Sequence, residues 1–188
     1  ILIQHTTNYQ SIKLISLNFL EIKKQKTKFI NKKFDFIYPA SGLSHKNHKY
    51  LLKSLIILSN LKIYPKLVFT LSNKDYHKMN INKINQEHNT KIYNFNNLNR
   101  SKFLELFKSC DVLLYPSLSE TLGLPLYEAK KLGLKIFCSS LVFNQGFTST
   151  DYIFELSDPY SLSKIIYSHI DIKNKKFLEK ELNITEIF

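Results

Sequence analysis

Residues 116–133 read Pro116-Ser-Leu-Ser-Glu120-Thr-Leu-Gly123-Leu-Pro125-Leu-Tyr-Glu128-Ala-Lys-Lys-Leu-Gly133. Before this stretch lies Asp111-Val-Leu-Leu-Tyr115, an apolar run with the length and composition of a strand buried on both faces. After it lies Lys135-Ile-Phe-Cys138, a second such run. The order is therefore strand, loop, helix, strand, the repeating unit of a parallel α/β sheet. Glu120 falls in the loop, and Glu128 falls a turn or so into the helix. In open α/β sheets ligands bind at the carboxyl ends of the strands, so this loop is the expected place of a nucleotide site.

The alternation continues outward in both directions. Phe34 to Ala40 reads as the first core strand. A helix follows it, with Ser44 or Asn47 as cap and Leu51, Leu52, Leu55, Ile56 and Leu58 at helical spacing. Lys66 to Leu71 is a second strand and Thr90 to Phe95 a third, separated by a polar, poorly defined helix from Asn73 to Gln86. Ser101 to Cys110 is a helix capped by Ser101, with Phe103, Leu104, Leu106 and Phe107 on its buried side. Beyond Cys138 the chain reads as irregular to Thr150, with a turn at Asn144-Gln-Gly146. Tyr152 to Leu156 is a short last strand. Pro159 then opens a helix with Leu162, Ile165, Ile166 and Ile170 on one face. Together these segments predict a Rossmann-like, doubly wound α/β domain with a mainly parallel sheet of about six strands.

Two glutamates eight positions apart carry little information alone, because chance places them in most chains. The whole run resembles the donor-binding signature of the retaining glycosyltransferases of family 4, enzymes with two Rossmann-like domains in the GT-B architecture. That signature runs roughly Pro-Ser-x-x-Glu-Gly-Phe-Gly-Leu-Pro-x-x-Glu-Ala-x-x-x-Gly. Glu120, Gly123, Leu124, Pro125, Glu128, Ala129 and Gly133 stand in register with it. Thr121 stands where glycine is usual, and Leu122 where phenylalanine is usual. A second segment, from Phe34 through Ser41-Gly42 to Lys46-Asn47-His48, resembles the first strand and loop of the same donor domain. The family lysine that contacts the diphosphate matches Lys46. The family arginine has no match: Ala40 or Ser41 occupies its place, leaving Ser41 and Gly42 to offer a hydroxyl and backbone N–H groups.

The resemblance covers about residues 34–172, and implies that they are the C-terminal, donor-binding half of such an enzyme. Residues 1–33 are then the end of a preceding acceptor-binding domain and a basic linker, and residues 173–188 a tail. The implied reaction transfers a sugar from a UDP-, GDP- or ADP-sugar to a hydroxyl with retention, with no cofactor and no metal. Lys46 would hold the diphosphate, with Thr121 and the backbone N–H groups of Leu122, Gly123 and Leu124 at a helix start adding to it. Glu128 would accept from the ribose hydroxyls. Glu120 would be the catalytic carboxylate, facing the donor sugar and shaping the field at the anomeric carbon, not a nucleophile. The loop near Phe95 would receive the nucleobase. The acceptor would be a glycan or a lipid-linked sugar in cell-surface polysaccharide synthesis, at the cytoplasmic side, with peripheral membrane contact as an option.

Composition narrows the alternatives. The glycines at 42, 123, 133 and 146 are too scattered for a dinucleotide fingerprint or a Walker P-loop. Cys110 and Cys138 lie at or inside apolar segments without metal-ligand spacing, which fits buried free thiols. His45 and His48 flank Lys46 and are expected on the surface, since no third ligand is near. Tyr115 is expected in the core. The net charge of +12, from 27 Lys and Arg against 15 Asp and Glu, is first a matter of lysine on solvated faces. It also allows attraction to an anionic membrane surface. Nothing resembles an RNP, KH or helix-turn-helix motif, and the only guanidinium is that of Arg100, which disfavours nucleic acid. The competing readings are a non-catalytic basic module binding membrane or nucleic acid, a degenerate inactive copy, and an epimerase of the same architecture. The Pro-Ser-x-x-Glu context disfavours the epimerase.

Overall fold

The computed structural model describes residues 33–120, 122–144 and 150–171. Thr121, nearly all of the preceding-domain remnant and basic linker expected in 1–33, most of the 144–146 turn and the tail from 173 lie outside these residues. The elements run β1 (Phe34–Tyr38), α1 (His48–Asn60), β2 (Lys66–Phe69), α2 (Asn73–Lys78), α3 (Ile81–His88), β3 (Lys91–Asn94) and α4 (Arg100–Lys108). They continue as β4 (Cys110–Tyr115), α5 (Leu124–Leu132), β5 (Lys135–Ser139), α6 (Ser140–Asn144), β6 (Tyr152–Phe154) and α7 (Pro159–Asp171). A single 3₁₀ turn, Ser44–Lys46, precedes α1.

The strands form one six-stranded sheet in the order β3-β2-β1-β4-β5-β6, and every described pairing is parallel. The chain winds outward from β1 to β3 on one side, returns to place β4 against β1, then winds outward to β6. The strand order therefore reverses between β1 and β4, the switch point beyond whose carboxyl ends sheets of this kind place their ligand crevice. β1 and β4 are central and flanked on both sides, which explains their unbroken apolar character. Phe36, Ile37, Tyr38, Val112, Leu113, Leu114 and Tyr115 are all buried. Tyr115 is core, as its sequence position implies.

Helix α1 buries Leu51, Leu52, Leu55 and Leu58, while Ile56 is only partly covered. Serines line its contact with α7: Ser54 Oγ donates to the Pro159 carbonyl at 3.1 Å, and Ser163 Oγ to the Ser54 carbonyl at 3.1 Å. Such small side chains let the two helices approach closely while their hydroxyls find carbonyl partners. On α7, Leu162 and Ile166 are fully buried, and Ile165 and Ile170 pack beside them. Both cysteines are buried free thiols.

Four expectations are corrected. The polar helix of 73–86 is two helices, broken where Asn80 takes a left-handed backbone with φ 53°. The segment after β5 is not wholly irregular, because α6 follows it directly. The cap of α4 is Asn99, whose side chain accepts from the Lys102 N–H, not Ser101. Neither Ser44 nor Asn47 caps α1 with its side chain: Asn47 has a left-handed backbone, φ 56°, and its amide reaches elsewhere. Among the described residues no helix is long and apolar enough to cross a membrane.

Candidate functional site

The two segments that carry the sequence signature converge at the switch point. The loop after β1 brings Lys46, and the loop after β4 brings Glu120. Lys46 Nζ donates to Glu120 Oε1 at 2.7 Å, with 18% and 11% of the two side chains exposed. Seventy-four positions of sequence separate these residues, so the pair is brought together by the tertiary fold.

Hydrogen bonds lock the two loops together. The Leu118 N–H donates to the His45 carbonyl at 2.8 Å, and the Asn47 amide to the Pro116 carbonyl at 3.3 Å. From beneath, the Tyr38 hydroxyl donates to the Lys46 carbonyl at 2.7 Å and lies 2.9 Å from Ser117 Oγ. Ser139 Oγ donates to the Ser117 carbonyl at 3.0 Å, tying in β5. Burial raises the pKa of the Tyr38 hydroxyl well above its ordinary value; the hydrogen bond with Ser117 opposes this and the Glu120 charge adds to it. Burial likewise raises that of Tyr115, reinforced by the charge of Glu120 and a hydrogen bond with it. Both phenols are therefore neutral supports at neutral pH.

Glu128 sits in the fifth position of α5, buried, facing α4. The sequence suggests an exposed helix residue pairing with Lys131, if read without its context. The structure gives it a different partner: Arg100 Nη1 donates to Glu128 Oε1 at 2.5 Å. Arg100 opens α4, and its guanidinium lies 5.7 Å from the Phe103 ring centroid. Sequence reasoning missed this role. The available signal was that Arg100 is the only arginine in a chain with 27 basic residues.

Gly123 starts α5 with a left-handed backbone, φ 55°, and a Cβ there would lie 2.8 Å from Leu126 Cδ1. Pro125 occupies the first turn, where its missing N–H costs nothing. Both helices that begin at the crevice, α1 after Asn47 and α5 after Gly123, lack a side-chain cap, whereas Ser72 and Asn99 cap α2 and α4. Their partial positive ends therefore lack a capping side chain, although the Leu126 N–H already donates to the Gly123 carbonyl, the Tyr50 N–H to the Asn47 carbonyl, and Pro125 has no N–H. Leu122 and Leu124 are exposed beside it.

On the β1 side, Ser41 is exposed, but Gly42 is crowded. A Cβ on Gly42 would lie 2.3 Å from Asp75 Cγ, so the Asp75 side chain packs directly against this loop. His48 is also not where the sequence places it. It is 2% exposed, with its ring 5.0 Å from that of Tyr38 and 5.1 Å from that of Phe69. Neither ring nitrogen has a hydrogen-bond partner among the described residues. Burial pushes its pKa down to about 4; Asp75 opposes the shift and Lys46 adds to it. His48 is thus a neutral core residue. His45 is partly exposed. Phe95 is exposed and packs edge-on against Phe34, 5.8 Å between centroids. No cluster of three or more His, Cys, Asp or Glu able to hold a metal ion occurs among the described residues.

The family profile for glycosyl transferases group 1 matches residues 20–153. The chain belongs to this family. No curated protein matches it. Solved structures of glycosyltransferases share its fold at low identity. A trehalose-6-phosphate structure from E. coli bound with UDP-2-fluoro glucose superposes with TM-score 0.59 at 15% identity, over 72% of this chain and 36% of that one. The pneumococcal O-GlcNAc transferase GtfA in complex with UDP and GlcNAc gives 0.56 at 19% identity, over 79% and 30%. Anabaena Alr3699/HepE in complex with UDP and glucose gives 0.57 at 16% identity, over 77% and 40%. This group 1 glycosyl transferase chain thus spans about a third of the length of these structures. Its fold is the Rossmann-like half of the GT-B architecture.

Proposed function

We propose that this chain binds the nucleoside diphosphate sugar for a retaining glycosyltransferase. The observation that carries the reading is the convergence of Lys46 and Glu120 at the switch-point crevice, with Glu128 on the adjoining helix. The UDP named in the structures of GtfA and HepE supports a nucleotide-sugar donor.

In this reading the diphosphate lies across the starts of α1 and α5. Lys46 supplies a mobile positive charge, and the uncapped N–H groups of Leu122, Gly123 and Leu124 supply fixed dipoles. As the bond to the anomeric carbon breaks, negative charge grows on the leaving diphosphate, and these groups stabilise it where water cannot rearrange around it. Donor binding places phosphate beside Lys46, so the ammonium is shared between phosphate and Glu120. Glu120 then turns its remaining acceptor capacity to sugar hydroxyls, and Glu128 to the ribose diol. Ser41, Gly42 and Thr121 complete the phosphate side, and Phe95 stands near the base. With Asp75 packed against Gly42, Ser41 and the Gly42 backbone are secondary there to Lys46 and the α5 start. No metal and no cofactor take part, since lysine and helix dipoles supply the positive charge. The acceptor is a glycan or lipid-linked sugar of cell-surface polysaccharide synthesis, bound largely by another domain at the cytoplasmic face of a membrane.

Thermal-shift titration with UDP, GDP and ADP tests the reading, with and without a chelator. One nucleotide should stabilise the chain saturably and equally in both conditions. No stabilisation by any of them would remove the donor-binding reading.

A further inference from the structure

Arg100 is the single arginine of this chain; every other residue among its 27 Lys and Arg is lysine. It lies at the first position of α4, and the carboxylate it reaches is on α5, 28 positions later. The exposures of the pair are unequal: 52% of the Arg100 side chain is exposed against 8% of that of Glu128. The carboxylate is thus sunk, and the guanidinium stands over it at the surface, 5.7 Å from the Phe103 ring.

Stability alone explains this arrangement poorly. The guanidinium is half exposed and screened, which limits what the pair adds to folding, although the buried carboxylate still needs a partner. A lysine would also provide the charge, as lysine does everywhere else in the chain. Arginine differs in its planar, pre-organised fork, which fixes the orientation of a carboxylate instead of merely attracting it. Arg100 engages Oε1. A carboxylate has two acceptor oxygens, so Oε2 keeps its capacity for a further donor.

We propose that Arg100 is a positioning residue for the ribose end of the donor, holding the Glu128 carboxylate so that Oε2 meets the ribose hydroxyls. The inference rests on the donor-binding reading of Glu128. Arg100 acts through Glu128 and not on the reacting atoms. Its effect is therefore confined to ligands that carry ribose hydroxyls.

The test uses the 188-residue chain as wild type, Arg100→Ala and Arg100→Lys. Each is titrated by calorimetry with the nucleotide that wild type binds (UDP, GDP or ADP) and with its 2′,3′-dideoxy analogue. Arg100→Ala should weaken the ribonucleotide roughly ten-fold, as expected when a hydrogen bond to a charged group is lost. It should change the dideoxy analogue by less than about two-fold, and Arg100→Lys should recover only part of the loss. Circular dichroism melting checks that the variants fold; should Arg100→Ala not fold, Arg100→Lys carries the same comparison. Equal losses for both nucleotides, or none, would overturn the role of Arg100 while leaving the donor reading standing. If wild type binds none of the nucleotides, the donor reading falls and this inference falls with it.

Discussion

The Lys46–Glu120 pair lends itself to a double-mutant cycle, because its geometry fixes what each variant should lose. The ammonium and the carboxylate are 2.7 Å apart, with 18% and 11% of their side chains exposed. A fully exposed pair contributes about 0.2–1 kcal/mol, and breaking a fully buried one costs about 3–5 kcal/mol. This pair lies between those limits, so Lys46→Met should cost about 1–3 kcal/mol, as for hydrogen bonds to charged groups. In a chain of this length each kcal/mol shifts the melting temperature by about 2–4 °C, so the expected fall is roughly 2–12 °C. Glu120→Ala loses the same pair. The double variant should therefore lose less than the sum of the singles, with a coupling of about 1 kcal/mol or more. Urea unfolding of the four proteins measures the stability cycle, and calorimetry with the bound nucleotide measures the site. Lys46→Met should weaken nucleotide binding at least about ten-fold, since a charged contact to phosphate is lost. Additivity within about 0.5 kcal/mol, together with unchanged nucleotide affinity, would refute both the pair and its place in the site.

Two further perturbations test the supports of the site. His48 has an ordinary pKa of 6.5 in the unfolded chain and about 4 when folded. Between those values the unfolded state binds the proton, so stability from this residue is complete above pH 6.5 and is lost as pH falls toward 4. The loss should reach about 3 kcal/mol, and His48→Phe should flatten that part of the stability–pH curve; an unchanged curve would count against the buried neutral ring. Gly133→Ala meets a left-handed backbone but open space, and should cost about 1–2 kcal/mol. Gly42→Ala, with Asp75 Cγ 2.3 Å from the new Cβ, should displace Asp75 and lower nucleotide affinity as well as stability, an effect that Gly133→Ala should not show.

Much of this architecture is legible in the residues, because burial on both faces leaves a plain record. Strands such as 112–115 and 135–138 are continuous apolar runs, and glycines and prolines mark their ends. The meeting of Lys46 and Glu120 follows from the alternation of strands and helices, since the switch point of such a sheet lies between the first strand and the one that returns beside it. Arg100 was not legible in that way. Its contact with Glu128 joins two helices through a crossover, and neither periodicity nor spacing encodes which residues of adjacent helices touch. His48 departs from its expected surface place for another reason. Lys46, Asn47 and Lys49 make its neighbourhood polar, yet His48 shares a helix face with Leu51, Leu52 and Leu55, and that periodicity assigns it to the core. The capping errors come from helix ends, where one residue decides the boundary and several polar residues compete for it.

The most direct test of the donor-binding account is calorimetric titration of the chain and of Glu128→Ala with UDP, GDP and ADP at two salt concentrations. The account predicts saturable binding of one nucleotide by the wild-type chain, weakened at least about ten-fold in Glu128→Ala at both salt concentrations. Binding that is indifferent to Glu128→Ala and falls steeply with salt for all three nucleotides would contradict it, and would leave a basic surface without a donor site.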